Sequence, residues 1–177
     1  MNNYIGLKKG VVKLKKHNAN WAKLFEKEKK LLLKEFPDII LEIHHGGSTA
    51  IPNIPAKPII DMFAEISSLK KVKTRKILED LQKLGYNFYS EDKKNNRILY
   101  VKGDPKISTH HLHFVKKDSP ELKKTLIFKE YLLKNPKVAK DYSGFKLMLA
   151  KKYPKDRRAY TTSKDKFIKS VIKKAKI

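Results

Sequence analysis

The sequence predicts an α+β (α/β) fold, a mixed β-sheet with helices packed on it and a helical segment at the C-terminal end. Three observations lead there. Apolar runs of strand length, "IILEIHH", "PIIDMFAEI", "RILYVKG" and "HHLHFV", lie in the first two thirds of the chain. Helical patterns separate some of these runs, and from about residue 118 onward only helical patterns remain. The 177 residues suit one domain, burying roughly 70% of the surface of the unfolded chain. The expectation is a single domain over 1–177 with a helical cap over about 118–177.

The elements follow in order. "VVKL", Val11–Leu14, reads as a short edge strand. From Asn18 to about Phe36 the residues Trp21, Leu24, Phe25, Leu31 and Leu32 recur at helical spacing, with Asn18 as cap and Pro37 as stop. "IILEIHH" is a strand running into the Gly46-Gly47 turn. "PIIDMFAEI", Pro58–Ile66, is a second strand. Side chains alternate along a strand, so Ile60, Met62, Ala64 and Ile66 share one face, and Ile59, Asp61, Phe63 and Glu65 the other. The apolar face belongs under helices; the mixed face is where polar chemistry can sit. Lys70–Leu84 reads as a helix stopped by Gly85. "YNFYS", "RILYVKG" and "HHLHFV" are three further strands. Ser119-Pro120 and Asn135-Pro136 each place a capping residue before a proline tolerated in a first turn. A last helix, about Thr162 to Ala175, carries Phe167, Ile168, Val171 and Ile172 on one side.

Composition narrows the function. There is no cysteine, which excludes disulfides and thiolate zinc sites. No apolar run has the length of a signal peptide or a bilayer span, so a soluble cytoplasmic protein without membrane partners is expected. Lys+Arg is 42 against 18 Asp+Glu, a net charge of +24. The stretch from Lys116 onward holds 20 of the basic residues and 6 of the acidic ones. Such a charge fits a phosphate-bearing ligand or nucleic acid, and equally a lysine-biased composition. Tyr131, Tyr142, Tyr153 and Tyr160 are interleaved with these lysines. At helical spacing they read as core rather than as base-stacking residues.

The chemistry concentrates in "IHHGGSTAIPNIPAKPIIDMF". Glycines at 46 and 47 let backbone approach a ligand, and the turn can aim N–H groups at an anion, with Ser48 adding a hydroxyl. Twelve residues separate Ser48 from Asp61. A carboxylate in an apolar strand is costly unless paired, hydrogen-bonded or bound to a metal. A Gly-Ser turn, such a gap and then Asp fits the nucleotidyltransferase pattern, in which paired carboxylates hold a divalent ion on a nucleoside triphosphate. The second carboxylate is absent, because position 63 is Phe. Glu65 shares the face but lies about 13 Å along the strand, too far to complete a pair. His111 and His113 share one strand face and are candidate replacement ligands, while His110 points the other way. Imidazole suits Zn²⁺, Mn²⁺ or Fe²⁺ better than Mg²⁺. Lys57 stands at the mouth of the Asp61 strand, as a phosphate contact or one more surface lysine.

"HHGGSTAIPNIPAKPIIDM" resembles the signature of the GrpB family: His, an apolar residue, Gly-Ser-Thr-Ala-Val-Pro-Gly-Leu, a gap, then Lys-Pro-Ile-Ile-Asp. "HHLHFV" is similar to that family's His-x-His strand, and "FKEYLLKNPKVAKDYSGFKLMLAKKY" and "YTTSKDKFI" to its C-terminal segments. The family is grouped with the nucleotidyltransferase fold. The resemblance implies a metal site at Asp61, His111 and His113, with His45 as an additional candidate ligand. The same residues Asp61, His111 and His113 would be the catalytic group. It implies nucleotide or phosphate contacts from Gly47, Ser48, Thr49, Lys57 and Lys146, with Lys164 also matched. The implied cofactor is a divalent metal, Mg²⁺ or Mn²⁺, with Zn²⁺ as an alternative. The resemblance implies no settled reaction; the turn–gap–Asp spacing and the histidine pair point to nucleotidyl transfer to an unknown acceptor, with a catalytically reduced phosphate- or nucleic-acid-binding module and a His/Asp metal phosphoester hydrolase as the alternatives. The chain departs from the family pattern at Gly46, normally apolar, at Asn53, normally Gly, and at Lys129-Glu130, which replace Arg-Asp.

Overall fold

The structure is a computed structural model and describes residues 5–175. Its strands are β1 (Leu7–Lys8), β2 (Ile40–Gly46), β3 (Ile60–Ile66), β4 (Tyr86–Asp92), β5 (Arg97–Lys102), β6 (Ile107–Ser108) and β7 (His110–Lys116). Its helices are α1 (Asn20–Glu35), α2 (Arg75–Lys83), α3 (Pro120–Lys134), α4 (Pro136–Lys152), α5 (Arg157–Thr162) and α6 (Asp165–Ala175). Five strands make one sheet in the order β2-β3-β7-β5-β4, and β1 pairs with β6 apart from it. The sheet is mixed: β3 and β7 run parallel and the other neighbours antiparallel. The expected α+β class is the observed one.

The two faces divide as the alternation requires. Ile60, Met62, Ala64 and Ile66 join Ile43, Ile98, Leu112 and Phe114 in the main core, covered by Trp21, Phe25 and Leu32 of α1 and Leu81 of α2. On the opposite face Phe63 and Val115 meet Leu122 of α3. Ile51 and Ile54, in the loop after the glycine turn, are buried against Leu132 of α3 and Tyr142 of α4. The C-terminal helices therefore cover the face that carries Asp61.

Several sequence expectations shift. Val11–Leu14 forms no ladder. Val12 is buried beside Leu149 and Tyr160 and its N–H bonds to Pro154 O at 2.8 Å, so tertiary packing takes the segment before a strand partner does. Lys15 alone makes a bridge, to Ala56. The helix expected from Lys70 begins at Arg75, after a 3₁₀ turn over Lys71–Lys73. Ser119 caps α3 by accepting from Leu122 N at 3.2 Å. Asn135 does not cap α4; its amide donates back to Tyr131 O at 2.8 Å. The expected last helix is α6, beginning at Asp165, and a short further helix, α5, precedes it, capped by Asp156, which accepts from Ala159 N at 2.9 Å. Asn53 has φ 62°, a left-handed conformation that accounts for Gly or Asn at this position.

Gly46 is matched to Phe63. A Cβ at Gly46 would stand 2.5 Å from the Phe63 ring and 3.3 Å from Thr125 Cγ2. The aromatic residue at 63 thus requires the missing side chain at 46. Gly46→Val is expected to cost about 1–3 kcal/mol by overpacking. Adding Phe63→Leu should recover part of that loss. Urea unfolding of both single variants and the double variant measures the coupling; strictly additive losses would contradict the match.

Candidate functional site

Strand pairing builds the site from two chain segments far apart in sequence. Asp61 sits opposite His111 in the β3–β7 ladder, and Phe63 opposite His113. Asp61 Oδ1 lies 3.0 Å from His111 Nδ1 and 4.0 Å from His113 Nε2. The His113 ring stacks on Phe63, with centroids 4.6 Å apart. One ligating atom from each of Asp61, His111 and His113 falls within 4.8 Å of the others. The sequence-predicted trio does converge.

On its other side the carboxylate meets backbone. Gly47 has φ 63°, and a Cβ there would overlap Asp61 Oδ2. Only glycine supplies both the left-handed backbone and the space. Ser48 follows in a single 3₁₀ turn, Ser48–Ala50. Its hydroxyl is hydrogen-bonded to the Tyr142 hydroxyl, whose pKa burial drives upward.

The surroundings of Asp61 are cationic. Lys57 lies with its ammonium 5.3 Å from the centroid of the Tyr160 ring, and Lys164 at 4.6 Å from the same centroid. Arg157, one turn before Tyr160, brings Nη2 to 3.5 Å from His111 Nε2. Burial and the charges of Arg157 and Lys164 push Lys57 down to about 7. Burial lowers Lys164 and Arg157 from their ordinary values, and Asp61 partly offsets this for both. For Asp61 itself burial disfavours the charge. The hydrogen bond from His111, with the electrostatic pull of His111, His113 and Lys57, outweighs burial and holds the carboxyl well below its usual range. The acid stays ionised although only 31% of its side chain is exposed.

Some predicted residues serve elsewhere. His45 shares the core face with Met62, stacks on Phe25 at 4.4 Å and has Nε2 3.1 Å from Thr49 Oγ1, so it does not join the Asp61 group. Thr49 donates to Ile59 O at 3.4 Å, and its hydroxyl ties the turn to the residue that leads into β3 instead of facing a ligand. Lys146 is 1% exposed and donates to the Pro55 carbonyl; it braces the loop that carries Lys57 rather than offering a free ammonium. Lys129 donates to His45 O at 3.1 Å. Glu65 is held by His44 at 2.7 Å and adds nothing to Asp61. Tyr142 and Tyr160 are buried, as the core reading has it, although both border the site.

Arg157 was not legible as a site residue. A usable signal was its type: the chain has only four arginines among its many lysines, and guanidinium is the group suited to planar anions.

The donor set fits a divalent ion. Two imidazoles and one carboxylate favour Zn²⁺ or Mn²⁺ over Mg²⁺, and His113 Nδ1 is buried without a hydrogen-bond partner. Among the described residues no helix is long and apolar enough to cross a membrane.

The family model described as GrpB protein matches residues 11–174. A solved structure, the conserved protein GrpB from Enterococcus faecalis, superimposes with a TM-score of 0.83 at 32% identity, covering 92% of this chain and 96% of that one. The glutamate-rich protein GrpB of Alkalihalophilus pseudofirmus is 36% identical over 95% of this chain and 98% of its own length. The UPF0157 protein YqkA of Bacillus subtilis is 38% identical over 90% of this chain, which spans about half, 46%, of that relative's length.

Three histidines are buried uncharged. Burial, first of all, pushes His45 and His110 down to about 4 and His113 to about 3. Between those values and the ordinary 6.5 the unfolded chain binds the extra protons, so stability rises with pH there and is lost as pH falls. Each histidine adds up to about 1.4 kcal/mol per pH unit. Unfolding midpoints should be level above pH 6.5 and drop steeply toward pH 4, with a slope reduced by about one proton in His110→Gln. Equal stability at pH 7 and pH 5 would refute this.

Proposed function

This chain belongs to the GrpB family, and on that premise we propose that it is a cytoplasmic, nucleotidyltransferase-like enzyme acting on a metal-bound nucleoside triphosphate. The observation that supports the reading is the Asp61 carboxylate, set between the Gly47 backbone and His111 and faced by Lys57, Arg157 and Lys164. Catalytic roles go to Asp61, His111 and His113, the last two standing in for the second carboxylate that Phe63 replaces. Such a metal would screen the phosphates and organise in-line displacement at the α-phosphorus, with an acceptor oxygen bonding as pyrophosphate departs. The chain's own groups do the rest. The Gly47–Ser48 turn and the Lys57, Lys164 and Arg157 cations receive the phosphate oxygens, while Thr49 and Lys146 keep the turn and its loop rigid. The buried His113 and Phe63 pair limits water at one side of the carboxylate.

Phe63 favours a second reading: a binding module of the same fold that holds a nucleotide, another phosphate ligand or nucleic acid without turnover. Both readings share the phosphate contacts and differ in the metal and in pyrophosphate release.

Calorimetry with a nucleoside triphosphate and Mn²⁺ tests the site. Wild type should bind more tightly with the metal than without it. Asp61→Asn should lose that difference, a loss of roughly tenfold or more. Equal metal dependence in the two proteins removes Asp61 from the metal role. Nucleotide binding with no pyrophosphate release from any offered acceptor selects the binding module, and a steep fall in RNA affinity with salt would assign nucleic acid as its ligand.

A further inference from the structure

The sheet register places one exposed aromatic on the edge strand β4, three strands from Asp61. Asp61 pairs with His111, His111 with Val101, and Val101 with Asn87, so these four residues form a row across one face. Pairing between β4 and β5 then slips between Phe88 and Ser90, which leaves Tyr89 as the extra residue of a β-bulge on the edge strand. Asn87 opposes Val101 and Ser90 opposes Leu99, both on the face of His111 and His113, and with two residues set against one at the bulge Tyr89 shares that face with Ser90. Bulges re-aim a side chain at a sheet edge and recur next to ligand sites.

Tyr89 is 63% exposed, the most exposed of the large apolar side chains described. Its neighbour Phe88 rests edge-on against Tyr100, a core residue of the opposite face, and is accounted for by that contact. An isolated exposed tyrosine needs no explanation by itself. This one has a second feature: Arg157, whose Nη2 reaches His111, is close enough for the Tyr89 phenol to act on its charge. Arg157 thus touches His111 and lies within electrostatic reach of an exposed aromatic residue. Beyond it on α5, Tyr160 carries the Lys57 and Lys164 ammonium groups.

We propose that Tyr89 is the stacking platform for the aromatic base of a nucleotide whose phosphates lie on Arg157, Lys57 and Lys164. The proposal rests on the nucleotide reading above and adds to it where the base goes and how it is recognised. Stacking on an aromatic ring needs only a π-face, and no paired donor or acceptor selects one base from another. The site therefore distinguishes a nucleotide from bare polyphosphate and discriminates weakly among bases, with purines held more tightly for their larger ring.

The test is calorimetry of ATP and of inorganic tripolyphosphate, each with Mn²⁺, against wild type, Tyr89→Ala and Tyr89→Phe. Tyr89 projects from an edge strand, so the variants keep the core intact. Tyr89→Ala should weaken ATP about tenfold and leave tripolyphosphate unchanged, while Tyr89→Phe keeps the ATP affinity. ATP bound equally by wild type and Tyr89→Ala would overturn the platform and leave the nucleotide reading standing. Equal weakening of both ligands would overturn it by making Tyr89 a support for the phosphate contacts. Wild type binding neither ligand would overturn the platform and the nucleotide reading together.

Discussion

A carboxylate in an apolar strand must be compensated, and the compensation of Asp61 organises this molecule. Leaving such a charge buried and unpaired would cost several kcal/mol. His111 supplies a hydrogen bond at 3.0 Å from the parallel neighbour strand. Gly47 supplies a turn with no side chain to obstruct the other oxygen. Both depend on β3 lying inside the sheet, with β2 on one side and β7 on the other. The antiparallel β2–β3 pair sets Gly46 across from Asp61, and this brings the glycine turn over the acid. The order of the three strands and the identity of the two glycines are parts of one constraint.

The C-terminal helices answer the same requirement from above. α5 brings Arg157 and Tyr160 over the strand ends, and the turn after it brings Lys164. The result is more positive charge than one carboxylate can neutralise. Burial lowers the pKa of each of these cations, which is a cost that an anionic ligand would relieve. In the proposed function a phosphate-bearing ligand would supply the negative charge that Asp61 alone does not. Lys146 shows the opposite outcome: equally basic in sequence, it ends fully enclosed on a backbone carbonyl and serves packing.

Much of the fold was legible in the sequence for a physical reason. Alternation along Pro58–Ile66 separates an all-apolar face from a face with Asp61, and a sheet covered on both sides by helices is the consequence. "HHLHF" likewise assigns His111 and His113 to one face. Segments whose conformation is decided by distant contacts were not legible. Val11–Leu14 has strand composition, yet its backbone is claimed by Pro154 and its side chain by α4 and α5. Thr49, His45 and Lys146 carry the right chemistry for a site, but their donors are consumed by Ile59, by each other and by Pro55.

The sequence by itself determined the elements that depend on local pattern: the strand periodicities, the glycine turn, the single acid and the absence of its usual second carboxylate. Those features rest on near neighbours along the chain, and near neighbours are what a sequence displays. Tertiary structure alone decided that Arg157 joins Lys57 and Lys164 near Asp61 while Lys146 is spent on the Pro55 carbonyl, because these residues come from segments that no spacing rule connects. It also decided that Gly46 and Phe63 are one fitted pair and that the pairing of β4 with β5 slips at Tyr89. Both are matters of register between strands, set by which apolar faces the folded chain can bury together.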